Sequence, residues 1–376
     1  MTAARAFAAV AVAAAVAVPA ARARADAPDW FQASGYVQPQ VGVRHRGDAV
    51  PRDQWEYGAE STRVGVMFEG APLPRWSYTL HLVVGPGAID SLSGDDAADA
   101  GSDPSRDPMI EQATVTGYAT EWLAFSAGQL RIPLTLEHQS PNTALMFPNR
   151  SAPNQALLLG PELGALASLR LAGDRVHVAT GLFNGTGVDD GGGERGVLYA
   201  ARVDVNPLGA FPIGESHVHG GPLRLGLGAG VSYYPSSGYG DAGFPTEQSR
   251  DLRGAVSMRL AARGFYLQTE AFRRQRTDSL SHRPLIATGA YAQASHYVAV
   301  RPSWGVAPIG RVGWTAQDQG FDPRDMLWVE AGATLYLRAA ERDPDSLKIT
   351  LEYLGEYRRT EGENAHGAVA QLQLRW

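Results

Sequence analysis

Arginine is distributed in this chain with a regularity that chemistry can use. Arg63, Arg170, Arg202, Arg224, Arg253, Arg259, Arg301 and Arg311 each stand in a segment whose alternate residues are mostly apolar, and each occupies the other, wetter set of positions. Lys348 and Arg375 repeat the placement near the end of the sequence. A guanidinium stays charged at any physiological pH and presents a planar fork of donors to phosphate or carboxylate oxygens. The acidic residues on the same faces are fewer: Glu69, Asp204, Glu270, Glu330 and Glu352. Much of the negative charge lies between the segments, at Asp95, Asp96, Asp99, Asp103, Asp107, Asp189, Asp190 and Glu194, so the net charge of -6 does not describe the arginine-bearing face. For any single arginine, pairing with a nearby carboxylate explains its position as well as contact with a dissolved anion does.

A second group sits in one irregular stretch. Arg131, Glu137 and Arg150 are interleaved with Pro133, Pro141, Pro148 and Pro153, which deny that stretch a regular ladder of backbone hydrogen bonds. These three are candidates for contact with a solute, or for salt bridges that hold the stretch in place. Other chemistry is weakly signalled. His217-Val218-His219 has no accompanying carboxylate set for a metal, Gly191-Gly192-Gly193 lacks the strand-to-helix context of a phosphate cradle, and no Gly-x-Ser-x-Gly phrase is present. With no cysteine there is no disulfide framework, thiol nucleophile or thiolate metal site. No catalytic residue, metal ligand or cofactor is assigned, and no basic excess points to nucleic acid.

The elements that carry the arginines have a period of two. Leu223, Leu225, Leu227, Ala229, Val231 and Tyr233 alternate with Arg224, Gly226, Gly228, Gly230 and Ser232. Leu327, Val329, Ala331, Ala333, Leu335 and Leu337 alternate with Trp328, Glu330, Gly332, Thr334, Tyr336 and Arg338. Such dyads suit a strand with lipid on one face and water on the other. About sixteen segments read this way, near 31–44, 60–69, 76–85, 110–119, 122–129, 164–172, 175–183, 196–206, 222–234, 250–262, 264–274, 288–301, 308–316, 326–338, 346–357 and 366–376. Connections alternate between long polar stretches and short links, as hairpins with long outer loops and tight inner turns require. Residues 206–221 break the rule, being long where a short link belongs. Aromatics near segment ends (Trp76, Tyr118, Trp122, Trp314, Trp328) and a closing strand that ends on Trp376 complete the pattern of an outer-membrane barrel.

Export is written at the start. Arg5 precedes an apolar run from Ala6 to Val18, Pro19 breaks it, and Ala23-Arg24-Ala25 supplies small residues for cleavage. The run is shorter than the ~20 residues a spanning helix needs. Residues 1–25 are therefore expected to be a signal peptide and residues 26–376 the barrel.

The phrases Ala127-Gly128-Gln129-Leu130-Arg131-Ile132-Pro133-Leu134-Thr135-Leu136-Glu137 and Phe147-Pro148-Asn149-Arg150-Ser151 resemble the phosphate-selective porin O and P family. Gly181-Leu182-Phe183-Asn184-Gly185 resembles that family's hairpin ending in a Phe-Asn-Gly turn, and Ile349-Thr350-Leu351-Glu352-Tyr353 with the aromatic terminus is also similar. The match covers mainly residues 113–205 and the last thirty, with Arg131 and Leu134 where the family usually has Lys and Phe. The resemblance implies a sixteen-stranded trimeric pore in the outer membrane of a Gram-negative bacterium, with the loop after the fifth strand folded into the lumen.

The expectation is thus an all-β transmembrane barrel with outer-membrane lipid outside and small polar or anionic solutes inside, such as phosphate. The terminal strand is the expected signal to the barrel-assembly machinery, and a homotrimer is the expected assembly. The competing classes are a barrel enzyme, which needs a Ser-His or Asp-His couple at the outer rim, and a closed structural or adhesive barrel with a plugged lumen.

Overall fold

A computed structural model of the chain describes residues 30–46, 55–84, 109–157, 160–185, 195–211, 214–239, 245–277, 284–317, 324–339, 343–358 and 364–376. The expected signal peptide and the acidic connections bearing Asp95 to Asp107 and Asp189 to Glu194 lie outside the described residues.

Each alternating segment forms a strand. They are β1 (Gln32–Arg46), β2 (Trp55–Leu73), β3 (Trp76–Val84), β4 (Met109–Tyr118), β5 (Leu123–Leu130), β6 (Glu162–Leu171), β7 (Val176–Phe183) and β8 (Arg195–Gly196, resuming as Leu198–Val205). The second half comprises β9 (Arg224–Tyr239), β10 (Pro245–Ala262), β11 (Phe265–Thr277), β12 (Pro284–His296, resuming as Val298–Arg301), β13 (Trp304–Gln317), β14 (Arg324–Tyr336), β15 (Leu347–Arg358) and β16 (Asn364–Arg375). Every strand pairs antiparallel with its neighbours in sequence, and β1 closes on β16 through registers such as Gln40↔Gln371. The result is a closed barrel of sixteen strands. Closure matters because an open edge would leave backbone donors and acceptors without partners in lipid.

The side chains are distributed inside out relative to a water-soluble protein. Leu163, Val256 and Leu351 are 65%, 58% and 57% exposed on the outer face, while Gln268, Gln293 and Gln373 on the inner face are at most 1% exposed. Apolar outside and polar inside is the arrangement that a lipid surround rewards. The aromatics near strand ends divide between the two faces: Trp328, in the inner set of its dyad, is 4% exposed and sits in register with Gly313 and Glu356 on the lumen face, whereas Trp314 faces outward. The chain end locks the seam. Trp376 and Gly35 exchange backbone hydrogen bonds of 2.9 and 3.0 Å, and the indole covers the space where a Gly35 side chain would stand.

Two segments enter the lumen. The first, expected from its prolines, runs from Arg131 to the start of β6 and contains the short helices α1 (Leu136–Gln139) and α2 (Ala152–Leu157). Thr135 caps α1 by accepting from the His138 amide at 3.2 Å. The second is the long link between β8 and β9. It does not trail into the periplasm as a solvated connection: Glu215, His217 and Val218 are buried at 1%, 8% and 8% exposure.

Candidate functional site: the loop-filled lumen

Glu137 fixes the infolded loop. Its carboxylate is wholly buried and accepts from the Ser151 amide (2.9 and 3.1 Å), the Ser151 hydroxyl (2.7 Å), Asn154 (2.7 Å) and Arg311 of β13 (3.3 Å). A buried carboxylate is tolerated only when its lone pairs are met in this way. Arg311 also holds Glu330 of β14, donates to the Asn149 carbonyl at 3.1 Å, and stacks its guanidinium 4.3 Å from the Phe147 ring centroid.

The opposite wall grips the same loop. Glu270 of β11 accepts from the Leu136 and Glu137 amides at 2.6 and 3.0 Å, and Arg202 of β8 donates to the Leu134 carbonyl at 2.9 Å while pairing with Asp204. Gly230 of β9 makes this approach possible, because a Cβ there would lie 2.1 Å from the Leu134 oxygen. Lys348 of β15 donates to the Thr143 and Leu145 carbonyls at 3.2 and 2.9 Å. Leu130, Ile132 and Leu134 add an apolar contact with Leu198, Ala255, Phe272 and Tyr291 of the wall.

On the β2–β4 side the balance of charge changes. Arg131 pairs with Glu111, whose other oxygen lies 2.9 Å from His81 Nδ1. Arg63 is held by the Pro148 carbonyl (3.1 Å) and Asn149, and Arg150 by the Ser140 carbonyl (2.8 Å) and Asn142. Among the described residues no carboxylate lies within ion-pair distance of Arg63 or Arg150. Three guanidinium groups therefore share one directly paired carboxylate, Glu111. Burial, followed by the nearby Arg131, pulls the Arg150 pKa below its ordinary value, and burial with Arg150 and Arg131 holds His138 neutral by pushing its pKa well down. His138 adds no charge to the cluster, while Arg150 starts so high that it remains a cation.

The remaining arginines have separate tasks that the sequence did not reveal. Arg224 donates to the Leu208 carbonyl at 2.9 Å and Arg259 lies 4.2 Å over the Phe211 ring, so both hold the β8–β9 link. Arg170 falls on the lumen side of β6 but is exposed at its end, opposite His177. Arg301 is exposed at the β12–β13 turn, past a register shift, and is not part of the constriction. Arg253 pairs with Asp251 at the other end of the wall, where Arg274 joins the same carboxylate. Glu111 and His81 were not singled out by sequence. The β4 bulge at His81/Leu82 that brings Glu111 inward has no local signature.

Filling is uneven around the barrel. The lumen faces of β10–β14 are packed shut, with Ser257, Gln268, Glu270, Gln293 and Glu330 all buried. A cavity between Arg150, β1 and β14–β16 measures 30 Å³, room for only a few water molecules. Along β3–β6, by contrast, the inward Thr79, Thr116, Ser126 and Ser168 stay half-buried, and on the loop Arg131, Pro141 and Asn142 are half-buried while Gln139 is exposed. The open side of the lumen is thus the side on which Arg131 stands. Among the described residues no cluster of three His, Asp or Glu side chains is placed to hold a metal ion.

Comparison with known proteins supports the fold. No family model matches the sequence, and no curated protein matches it. Solved structures do match across the whole barrel. OprB of Pseudomonas putida superposes with a TM-score of 0.63 at 10% identity, covering 93% of this chain and 94% of that one. The anion-selective porin of Comamonas acidovorans gives 0.55 at 10% identity, covering 92% and 99%. OmpT of Vibrio cholerae, an outer membrane protein in a trimer form, gives 0.54 at 12% identity, covering 92% and 100%. The chain has the fold of the outer-membrane porins. One of these neighbours is an anion-selective porin, and none of the three singles out the phosphate-selective class.

Proposed function

We propose that this chain is an outer-membrane porin of a Gram-negative bacterium, allowing small hydrophilic solutes to diffuse passively and favouring anions. The observation that carries this reading is the cluster of Arg63, Arg131 and Arg150, with one directly paired carboxylate, beside a sector of the described lumen where Thr79, Thr116, Ser126 and Ser168 stay half-buried. Arg131 is the half-buried member and the candidate for direct solute contact. Arg63 and Arg150, at 2% and 7% exposure, act through their field. Arg202 and Arg311, being committed to the loop, act as its supports. Phosphate is one anion whose oxygens fit a guanidinium fork.

Residues 1–25 serve as the cleaved signal peptide in this reading, and the barrel-assembly machinery takes up the chain through β16. A homotrimer is supported by the outer face. β5 and β7 have eight residues each, which at ~3.4 Å per residue and a tilt of roughly 45° span about 19 Å, less than the ~25 Å apolar band. A hollow of 710 Å³ lined by Gly117, Ala127, Ala165, Ala167 and Gly181 lies over this sector, where a second copy would shield it from lipid.

A plugged structural barrel is the second reading, favoured by the dense filling against β10–β16. Liposome swelling separates the two. Proteoliposomes should swell in isotonic solutions of small neutral sugars, more slowly as the sugar grows, and no swelling with any solute would refute the porin.

A further inference from the structure

Tight inner turns join other hairpins at Pro74–Arg75, Arg263–Gly264 and Pro302–Ser303, and the β14–β15 link has ten residues, so the eighteen residues between Val205 and Arg224 make the longest link at this end of the barrel. Its course gives the length a purpose. Leaving β8, it is clamped by Arg224 on the Leu208 carbonyl, then sets Phe211 edge-on to Tyr266 at 6.2 Å, with the Arg259 guanidinium on the same ring. Phe211 packs against the cluster formed by Met146 and Phe147 of the infolded loop with Ile309 of β13. Farther on, Val218 reaches Ala307 of β13 and Tyr336 of β14, on the far side of the barrel from β8. The return is tied down where the Arg263 amide donates to the Gly221 carbonyl at 3.1 Å.

The link also meets the loop directly. The Glu215 amide donates to the Ala144 carbonyl at 2.9 Å, and its carboxylate accepts from the Met146 amide at 3.0 Å, from Gln293 at 2.9 Å and from Gln268 at 3.3 Å. These contacts join the loop, the link and the β11–β12 wall at one carboxylate. No cation lies within ion-pair distance of Glu215 among the described residues. Placing an ionisable group there is costly, and an ordinary turn would have no use for it.

We propose that the link between β8 and β9, through its described residues 206–211 and 214–223, forms a second constriction element, an inward strut that blocks the β10–β14 side of the lumen and braces the loop through Glu215, restricting solute to the β3–β6 side. Glu215 is its positioning residue. The inference rests on the porin reading, and the test below separates the two. Two routes remove the strut: replacing residues 207–222 by a two-residue Asn-Gly turn, and the double substitution Phe211→Ala with Glu215→Ala. Single-channel conductance is then measured in planar bilayers alongside swelling rates for sugars of increasing size. Heat-modifiable gel migration confirms that each barrel is folded.

The short-turn variant should show about a twofold or greater rise in conductance and admit larger sugars, because the obstructed cross-section is returned to the pore. The point variants should show a smaller rise with added flicker as the strut undocks. A conducting wild type whose folded variants match it in conductance and size limit would overturn the strut while leaving the porin intact. A wild type and variants that all fail to conduct would overturn the porin reading and the strut with it. Should the short-turn variant not fold, the point variants decide the matter alone.

Discussion

Removing the Glu137 carboxylate should loosen the pore without unfolding the barrel. Glu137→Ala takes away an acceptor that receives donors from Ser151, Asn154 and Arg311, and leaves Glu330 as the one carboxylate in ion-pair contact with the buried Arg311 among the described residues. Breaking a buried pair by deleting one partner costs ~3 to 5 kcal/mol. That cost falls on the docking of the loop and not on the ladder, because Glu137 is outside every strand. At about 1.4 kcal/mol per tenfold, the ratio of docked to undocked loop should fall by roughly two to three and a half powers of ten. Single-channel recording reads this directly. The variant should switch between the wild-type level and a higher one, and protease should cut between residues 131 and 161 while the strands stay resistant. The reasoning is refuted if a folded Glu137→Ala barrel shows wild-type conductance, wild-type noise and no new cleavage.

Three further substitutions or conditions probe other parts of the account. Arg131→Glu changes the local charge by two units on the open side, and at roughly 6 Å in water each unit is worth about 0.7 kcal/mol to a passing monovalent ion, disfavouring anions and favouring cations by about tenfold each, so the reversal potential should move to the cation sign. Gly230→Val drives a side chain into the Leu134 carbonyl and should displace the loop, raising conductance noise with little change in the melting of the barrel as followed by circular dichroism. Burial, together with Glu137, pushes the Glu215 value up to about 7, despite its three hydrogen-bond donors and the opposing field of Arg311. Because the docked state holds the proton more tightly than an undocked strut would, docking is strongest in acid and weakens as pH rises above ~4.5 and through neutrality. Flicker should therefore grow between pH 5 and pH 8, and Glu215→Gln should abolish that dependence.

The barrel was legible because lipid and water impose opposite demands on alternate residues, so Leu225, Leu227 and Val231 against Arg224, Gly228 and Gly230 betray both strand and facing. Strand ends were less clear. β2 begins at Trp55 and β10 at Pro245, both ahead of the alternating core, since outside the membrane either face can be polar. The infolded loop announced itself through Pro133, Pro141, Pro148 and Pro153. The strut gave only its excess length. A segment containing Glu215, His217 and His219 reads as solvated, as exposed His219 is, and Glu215 is buried only because Met146, Gln268 and Gln293, distant in sequence, supply its partners. The same non-locality hid the tasks of the arginines. Arg63, Arg202 and Arg311 share a face and a charge, yet what each does depends on which carbonyl or carboxylate of the loop arrives beside it.

The arginine cluster makes its most direct prediction for the reversal potential of the purified protein in a planar bilayer separating two potassium chloride concentrations. Discrete conductance steps should appear, with a reversal potential of the sign set by chloride permeating faster than potassium. Steps with the cation sign would contradict the role given to Arg63, Arg131 and Arg150, and an absence of steps would contradict the pore itself.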